Sequence, residues 1–191
     1  MQATKLAKLT VEEYLKIEEE SNLKYEFHDG DIYAMAGGTV NHSRISINIA
    51  GEIRQAIKSK NGNCEVLNSD VKLHIAKENR YLYPDNMVIC GEIQESKSLK
   101  NSVTNPKVII EVLSKSTQDY DKGAKFFIYK EIESLEEYIL IEQDTAQIHV
   151  YTRKSSDLWK IVSINGLDKS LPISTLKVDI ALADIYYNVK L

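Results

Sequence analysis

Tyr83-Pro84-Asp85-Asn86-Met87-Val88-Ile89-Cys90, then a polar connection, then Val108-Ile109-Ile110-Glu111-Val112-Leu113, then Asp119-Tyr120-Asp121-Lys122-Gly123-Ala124-Lys125-Phe126: the rest of the chain is organised around these three runs. The first two are apolar and rich in β-branched residues, which predicts strands. Asp85 heads one of them and Glu111 interrupts the other. Side chains alternate along a strand, so Ile109, Glu111 and Leu113 share one face and Ile110 and Val112 the other. Both faces are apolar, as in a central strand covered on two sides, so Glu111 is covered whichever way it points. A buried carboxylate is tolerated when it is paired or coordinates a metal. Asp85 and Glu111 on adjacent strands would form a hard oxygen site suited to Mg²⁺ or Mn²⁺, with nothing soft enough to favour zinc.

The third run predicts a helix over about 120–132. At about 100° per residue, Lys125 falls on the side of Asp121, Ile128, Tyr129 and Ile132, and Phe127, Gly123, Lys130 and Glu131 fall opposite. The aliphatic side packs inward, so Lys125 needs a partner there, and two carboxylates supply one. A lysine beside a divalent metal can position water and offset charge on a pentavalent phosphorus. Plainer readings stay open from the residues alone. Asp85 after Pro84 fits turn chemistry, Glu111 fits a structural ion pair, and Lys125 can snorkel to solvent. Glu26 reads by itself as a solvated strand residue, and His42 as a hydrogen-bonded structural histidine at a helix start.

Working outward, Thr10-Val11-Glu12-Glu13 fits a capping box opening a helix to about Glu20. The alternating run Lys24–His28 meets Asp29-Gly30, a two-residue hairpin signal, with Asp31–Ala36 as the return strand. Ile45, Ile49, Ile53 and Ile57 recur every four residues in a helix that Asn41 or Ser43 could cap and Asn61-Gly62-Asn63 stops. Further strands are expected at Cys64–Leu67, Asp70–Ile75 and Tyr81–Cys90, the last deformed at Pro84. Gly91–Pro106 reads as a polar, mobile connection. Strands follow over Glu136–Ile141, Ala146–Thr152 and Leu158–Ile164, and the tail closes with Lys177-Val178-Asp179-Ile180 and a last amphipathic turn or two over Leu182–Tyr187.

At 191 residues the chain suits a single domain, 1–191, with a sizeable core. No run of apolar residues is long enough for a membrane span, and no secretory leader precedes the first helix. Two cysteines without a zinc-type cluster are expected to be reduced thiols in a cytoplasmic protein. A net charge of −4 argues against non-specific coating of nucleic acid and leaves room for an enzyme that engages it through a local site.

Several pieces in this order resemble one family. They are Tyr25-Glu26-Phe27-His28-Asp29-Gly30, Tyr83-Pro84-Asp85, Val108–Ser114, Ser116-Thr117 with Asp119–Phe126, Ser134–Tyr138, Val150-Tyr151 and Asp179–Tyr186. Together they are similar to the Uma-type "putative restriction endonuclease" family of the PD-(D/E)xK nuclease superfamily, over nearly the whole chain. The resemblance implies an α/β (α+β) restriction-endonuclease-like fold, a central mixed β-sheet flanked by helices. It also implies cleavage of DNA phosphodiesters with Mg²⁺, and a homodimer, for which Phe127 on the outer helix face offers an apolar contact. Asp85 and Glu111 match the metal-binding acids, and Glu26 the additional early acid. The lysine departs from the superfamily pattern: Leu113 stands two residues after Glu111, and Lys125 on the next helix is the matching position. Lys107 and Lys115 are rivals on the strand face of Glu111, with Lys115 standing where the family has proline. The displaced lysine and acidic composition also leave a second expectation, a catalytically inactive or partner-dependent DNA-binding protein linked to mobile elements.

Overall fold

A computed structural model of the protein describes residues 8–21, 23–35, 37–114 and 118–191. The first helix, α1 (Val11–Glu20), opens with the expected capping box between Thr10 and Glu13. The hairpin β1 (Tyr25–His28) and β2 (Asp31–Ala34) turns through Asp29 and Gly30, both at positive φ, the backbone that an Asp-Gly pair tolerates. Helix α2 (Val40–Ser59) buries Ile45, Ile49, Ile53 and Ile57. Its cap is Thr39, whose hydroxyl accepts from the His42 N–H. Asn41, expected as a cap, instead donates to the carbonyls of Gln143 and Lys190.

Strands β3 (Cys64–Asn68) and β4 (Lys72–Ile75) follow, then a 3-10 turn at Ala76–Glu78. The long strand expected over Tyr81–Cys90 is two strands in different sheets: β5 (Arg80–Leu82) and β6 (Asn86–Cys90). Pro84 lacks the N–H that a continuous ladder needs, and the chain changes sheet there, leaving Asp85 at the crossing. The supposedly mobile connection carries β7 (Ser102–Val103), with Ser96, Ser102 and Val103 buried. Strand β8 (Val108–Leu113) is buried throughout.

The next helix is broken into α3 (Gln118–Tyr120), a π turn (Asp121–Lys125) and α4 (Phe126–Tyr129), and stops short of Ile132. The expected inward face holds, with Asp121, Lys125, Ile128 and Tyr129 buried and Phe127 exposed. Strands β9 (Glu137–Glu142), β10 (Gln147–Arg153) and β11 (Trp159–Asn165) complete the large sheet. β12 (Ser170–Ile173) pairs with β13 (Val178–Ala181), and α5 (Leu182–Ile185) closes the fold. β12 was not expected, because Pro172 interrupts its short apolar pattern.

The six-stranded sheet runs β11-β10-β9-β8-β6-β3, and a five-stranded sheet runs β2-β1-β5-β4-β7. β8 pairs parallel with β9 and antiparallel with β6, so the large sheet is mixed. Period-2 alternation divides its core. Val108, Ile110 and Val112 pack with the isoleucines of α2 on one face. Ile109 and Leu113 pack on the other with Leu73 and Leu82 of the smaller sheet and with Ile128 and Tyr129. Glu111 shares the phase of Ile109 and Leu113, so it faces the broken helix and the smaller sheet. Cys64 and Cys90, cross-strand partners on β3 and β6, are joined in a disulfide, which corrects the expectation of reduced thiols.

Candidate active site

The large cleft of the molecule opens where the two sheets and the broken helix meet. Its volume is about 1290 Å³, and Glu26, Asp85, Glu111 and Lys125 all line it. The geometry follows from the elements. Asn86 is opposite Ile110 in the β6–β8 ladder, so Asp85, one residue earlier, comes level with Glu111. The Val112 N–H donates to Asp85 Oδ2 at 2.8 Å, and the Asp85 N–H donates to Glu111 Oε2 at 3.3 Å. Asp85 thus holds the backbone of β8 one residue beyond Glu111, and Glu111 holds the backbone of Asp85.

Lys125 reaches Glu111 from the helix, with Nζ 2.7 Å from Oε1. The same amine lies 3.5 Å from Asp121 Oδ1 and 3.8 Å from Glu26 Oε1. Lys125 sits in the π turn, where an extra residue per turn rotates the following side chains relative to a regular helix. Of the rivals, Lys107 pairs with Glu136, and Lys115 lies outside the described residues. Glu26 is covered in the same cluster rather than solvated, with Oε1 facing the Tyr83 N–H at 3.4 Å.

Three partners were not foreseen as part of a site. Tyr129 donates its hydroxyl to Glu111 Oε1 at 2.7 Å. Asp121 flanks Lys125, one helical turn away. His42, read from sequence as structural, stands in the first turn of α2 with Nε2 3.1 Å from Asp85 Oδ2. The i to i+4 spacings Asp121–Lys125–Tyr129 are the one sequence signal that could have flagged the first two.

Four carboxylates, Glu26, Asp85, Glu111 and Asp121, thus surround one lysine and one histidine. Burial, then the neighbouring acids Asp85 and Asp121, push Glu111 up to about 8 against the pull of Lys125. Burial opposes a charge on Lys125, yet Glu111, Glu26 and Asp121 outweigh it and hold the amine well above its ordinary value. An excess of negative charge raises both groups together. Glu26 is lowered: burial opposes this, and Lys125 and His28 overcome it. The hydrogen bond to Asp85 raises His42 in spite of burial.

The donor set fits a hard divalent ion held by few protein ligands. Glu111 Oε1 is taken by Lys125 and Tyr129, and Asp85 Oδ2 by the Val112 N–H and His42. That leaves Asp85 Oδ1 and Glu111 Oε2, engaged only by the 3.3 Å contact from the Asp85 N–H, as donors on the cleft wall. Among the described residues no group of three or more His, Cys, Asp or Glu is arranged to hold a metal. That rules out a pre-built zinc-type cage among them. Mg²⁺ needs only one or two carboxylates, with water and substrate oxygens completing its shell.

Fold and cleft define a class, a restriction-endonuclease-like α+β protein with an acidic cluster where its two sheets and the broken helix meet. The chain belongs to the Uma2 family, described as "Putative restriction endonuclease", whose model matches residues 11–183. Two proteins of Synechocystis sp. are similar. Uncharacterized protein slr1290 is 36% identical over 94% of this chain and 92% of its own length. Uncharacterized protein sll1609 is 35% identical over 89% of this chain and 95% of its own. Among solved structures, a "putative nuclease belonging to DUF820" from Anabaena variabilis shares the fold. Its TM-score is 0.74 at 18% identity, covering 93% of this chain and 97% of that one.

Proposed function

We propose that the protein is a Mg²⁺- or Mn²⁺-dependent endodeoxyribonuclease. Asp85 and Glu111 would hold the ion, which when bound supplies Lewis-acid activation of a phosphodiester and of the attacking water. Family membership supports a nuclease, and one contact carries the site assignment: Lys125, borne on the broken helix, lies 2.7 Å from Glu111 although Leu113 occupies the usual lysine position. Because its neighbours keep the Lys125 amine protonated, Lys125 serves as a donor and a cation. It orients water and offsets charge on the phosphorane, and it does not take the water's proton. Glu26 holds the third side of the Lys125 ammonium and fixes where it points.

Plasmid DNA with Mg²⁺ or Mn²⁺ tests this, comparing wild type with Asp85→Ala, Glu111→Ala and Lys125→Ala. Each substitution is expected to lower cleavage about a hundredfold or more; three variants that cut like wild type would reject the site. A homodimer belongs to the same reading, since cutting both strands takes two active sites, and light scattering checks it. A cytoplasmic location does too, although the Cys64–Cys90 bond weighs against it, because disulfides are rare in reducing compartments.

A further inference from the structure

The cleft is larger than the acidic cluster needs, since a water occupies roughly 30 Å³ of liquid volume. Beyond Glu26 its wall changes chemistry. β1 and β5 place His28 opposite Arg80, and the Arg80 guanidinium donates to His28 Nδ1. That leaves the His28 proton on Nε2, which faces Glu26 Oε2 at 3.4 Å. The histidine therefore links the acids to the arginine. Arg80 Nε is buried without a hydrogen bond, although it forms an ion pair with Glu78 at 3.6 Å. The Tyr120 hydroxyl, lining the same cleft, is likewise buried without a hydrogen-bond partner. Burial first, then Glu26, push it up to about 12, while Lys125 and Arg80 pull it down, so it lies within electrostatic reach of both cations. Buried donors without partners are uncommon in folded proteins and call for an explanation.

An aromatic ring completes this wall. Tyr33 on β2 is 58% exposed and lines the cleft. It meets His28 at an interplanar angle of 88°. In an edge-to-face contact His28 covers at most one face of Tyr33, so the other is uncovered by it.

We propose that Arg80, Tyr120 and Tyr33 form a nucleotide subsite beside the acidic cluster, in which Arg80 and the Tyr120 hydroxyl take a non-scissile phosphate of the DNA strand and Tyr33 stacks the adjacent base. The identity of the ligand as DNA rests on the nuclease reading above. The unpartnered donors find acceptors in phosphate oxygens, the usual ligands of a guanidinium. The ring gives a base a sequence-tolerant surface. Placed next to Glu26 and Lys125, the subsite would fix the register of the strand over Asp85 and Glu111.

The test uses the full chain in EDTA, where a metal-dependent enzyme does not cut. Anisotropy of a short fluorescein-labelled single-stranded DNA is followed between roughly 50 and 200 mM salt. Arg80→Gln is expected to weaken binding about tenfold and to flatten the log–log salt slope by about 0.7. Tyr120→Phe, which removes one oxygen and leaves the fold intact, is expected to weaken binding severalfold. Tyr33→Ala should weaken it roughly tenfold without changing the slope, and Tyr33→Trp should restore it. If Arg80→Gln does not fold, Arg80→Lys with Tyr120→Phe decides. Unchanged affinity and slope in these variants would overturn the subsite while plasmid cleavage by wild type left the nuclease reading standing. Losses as described, from a wild type that binds but cuts with no metal, would keep the subsite and overturn the nuclease reading. A wild type that binds no oligonucleotide would overturn the subsite, and plasmid cleavage with Mg²⁺ or Mn²⁺ would still decide the nuclease reading.

Discussion

A single hydroxyl decides much about Glu111. The carboxylate is 4% exposed, and Lys125 and Tyr129 both meet it at Oε1. Tyr129→Phe removes one donor and leaves the ring in place, so the cost is that of one lost buried hydrogen bond, about 1 kcal/mol. Urea denaturation monitored by circular dichroism reads that loss, and an unchanged midpoint would place the contact outside the energetics of the fold. Glu18 offers a second case at this scale. It accepts from the Tyr83 hydroxyl at 2.7 Å and from the Tyr25 N–H at 3.2 Å, and it pairs with Lys72 at 2.5 Å. Burial would raise its pKa, but Lys72, Tyr83 and Tyr25 together lower it. A depressed carboxylate stabilises the fold above its unfolded value, about 4.3, and the stabilisation disappears as pH falls through the lower folded value. Glu18→Gln should therefore cost roughly 2 kcal/mol at pH 7 and progressively less below about pH 4, measured as the gap between the two proteins' denaturation curves. A gap that stays constant down to about pH 3 would reject the ionic origin.

At the scale of elements, the legible features were those carried by local periodicity. Val108–Leu113 reads as a buried central strand because both phases are apolar, and it is one. Lys125 reads as inward because a helix turns it with Ile128 and Tyr129, and all three are buried despite the π turn. Features set by chain reversal or by another layer were not legible. Tyr81–Cys90 has an unbroken strand composition, yet it serves two sheets, since only the proline's missing N–H marks the crossing. His42 has no local signal, because its partner Asp85 is brought to it by packing of α2 on the sheet. The pairing of Cys64 with Cys90 required the β3–β6 register, which composition does not reveal. This bond closes a loop of 26 residues, and loop-closure entropy credits it with roughly 3 kcal/mol. Cys64→Ser with Cys90→Ser should lower the urea midpoint accordingly, and dithiothreitol should shift wild type by the same amount while leaving the double variant unmoved. Equal midpoints for wild type with and without reductant would show that the bond contributes nothing to stability.

At the scale of the whole molecule, the cluster lies on the seam between the five- and six-stranded sheets. Glu26 comes from one sheet, Glu111 from the other, Asp85 from the crossing between them, and Asp121 and Lys125 from the helix that covers both. Four acids against Lys125, His42 and His28 make this seam a region of surplus negative charge, which opposes elements that the hydrophobic clusters hold together. A divalent cation accepted by Asp85 and Glu111 would relieve that repulsion and bridge β6 to β8. Whatever binds the folded state alone stabilises it by RT ln(1 + [L]/Kd), about 2.7 kcal/mol when the ligand stands at a hundred times its Kd. For a chain of this size that corresponds to a rise in Tm of about 5–10 °C, taking roughly 2–4 °C per kcal/mol. The expected outcome is a concentration-dependent rise in Tm with Mn²⁺ for wild type, with no rise in Asp85→Ala or Glu111→Gln. Differential scanning calorimetry distinguishes this from a general ionic effect, because KCl at matched ionic strength should leave all three proteins where they were. An equal Mn²⁺ response in wild type and both variants would mean that the surplus charge of the seam is neutralised elsewhere, and that Asp85 and Glu111 are not the ligands.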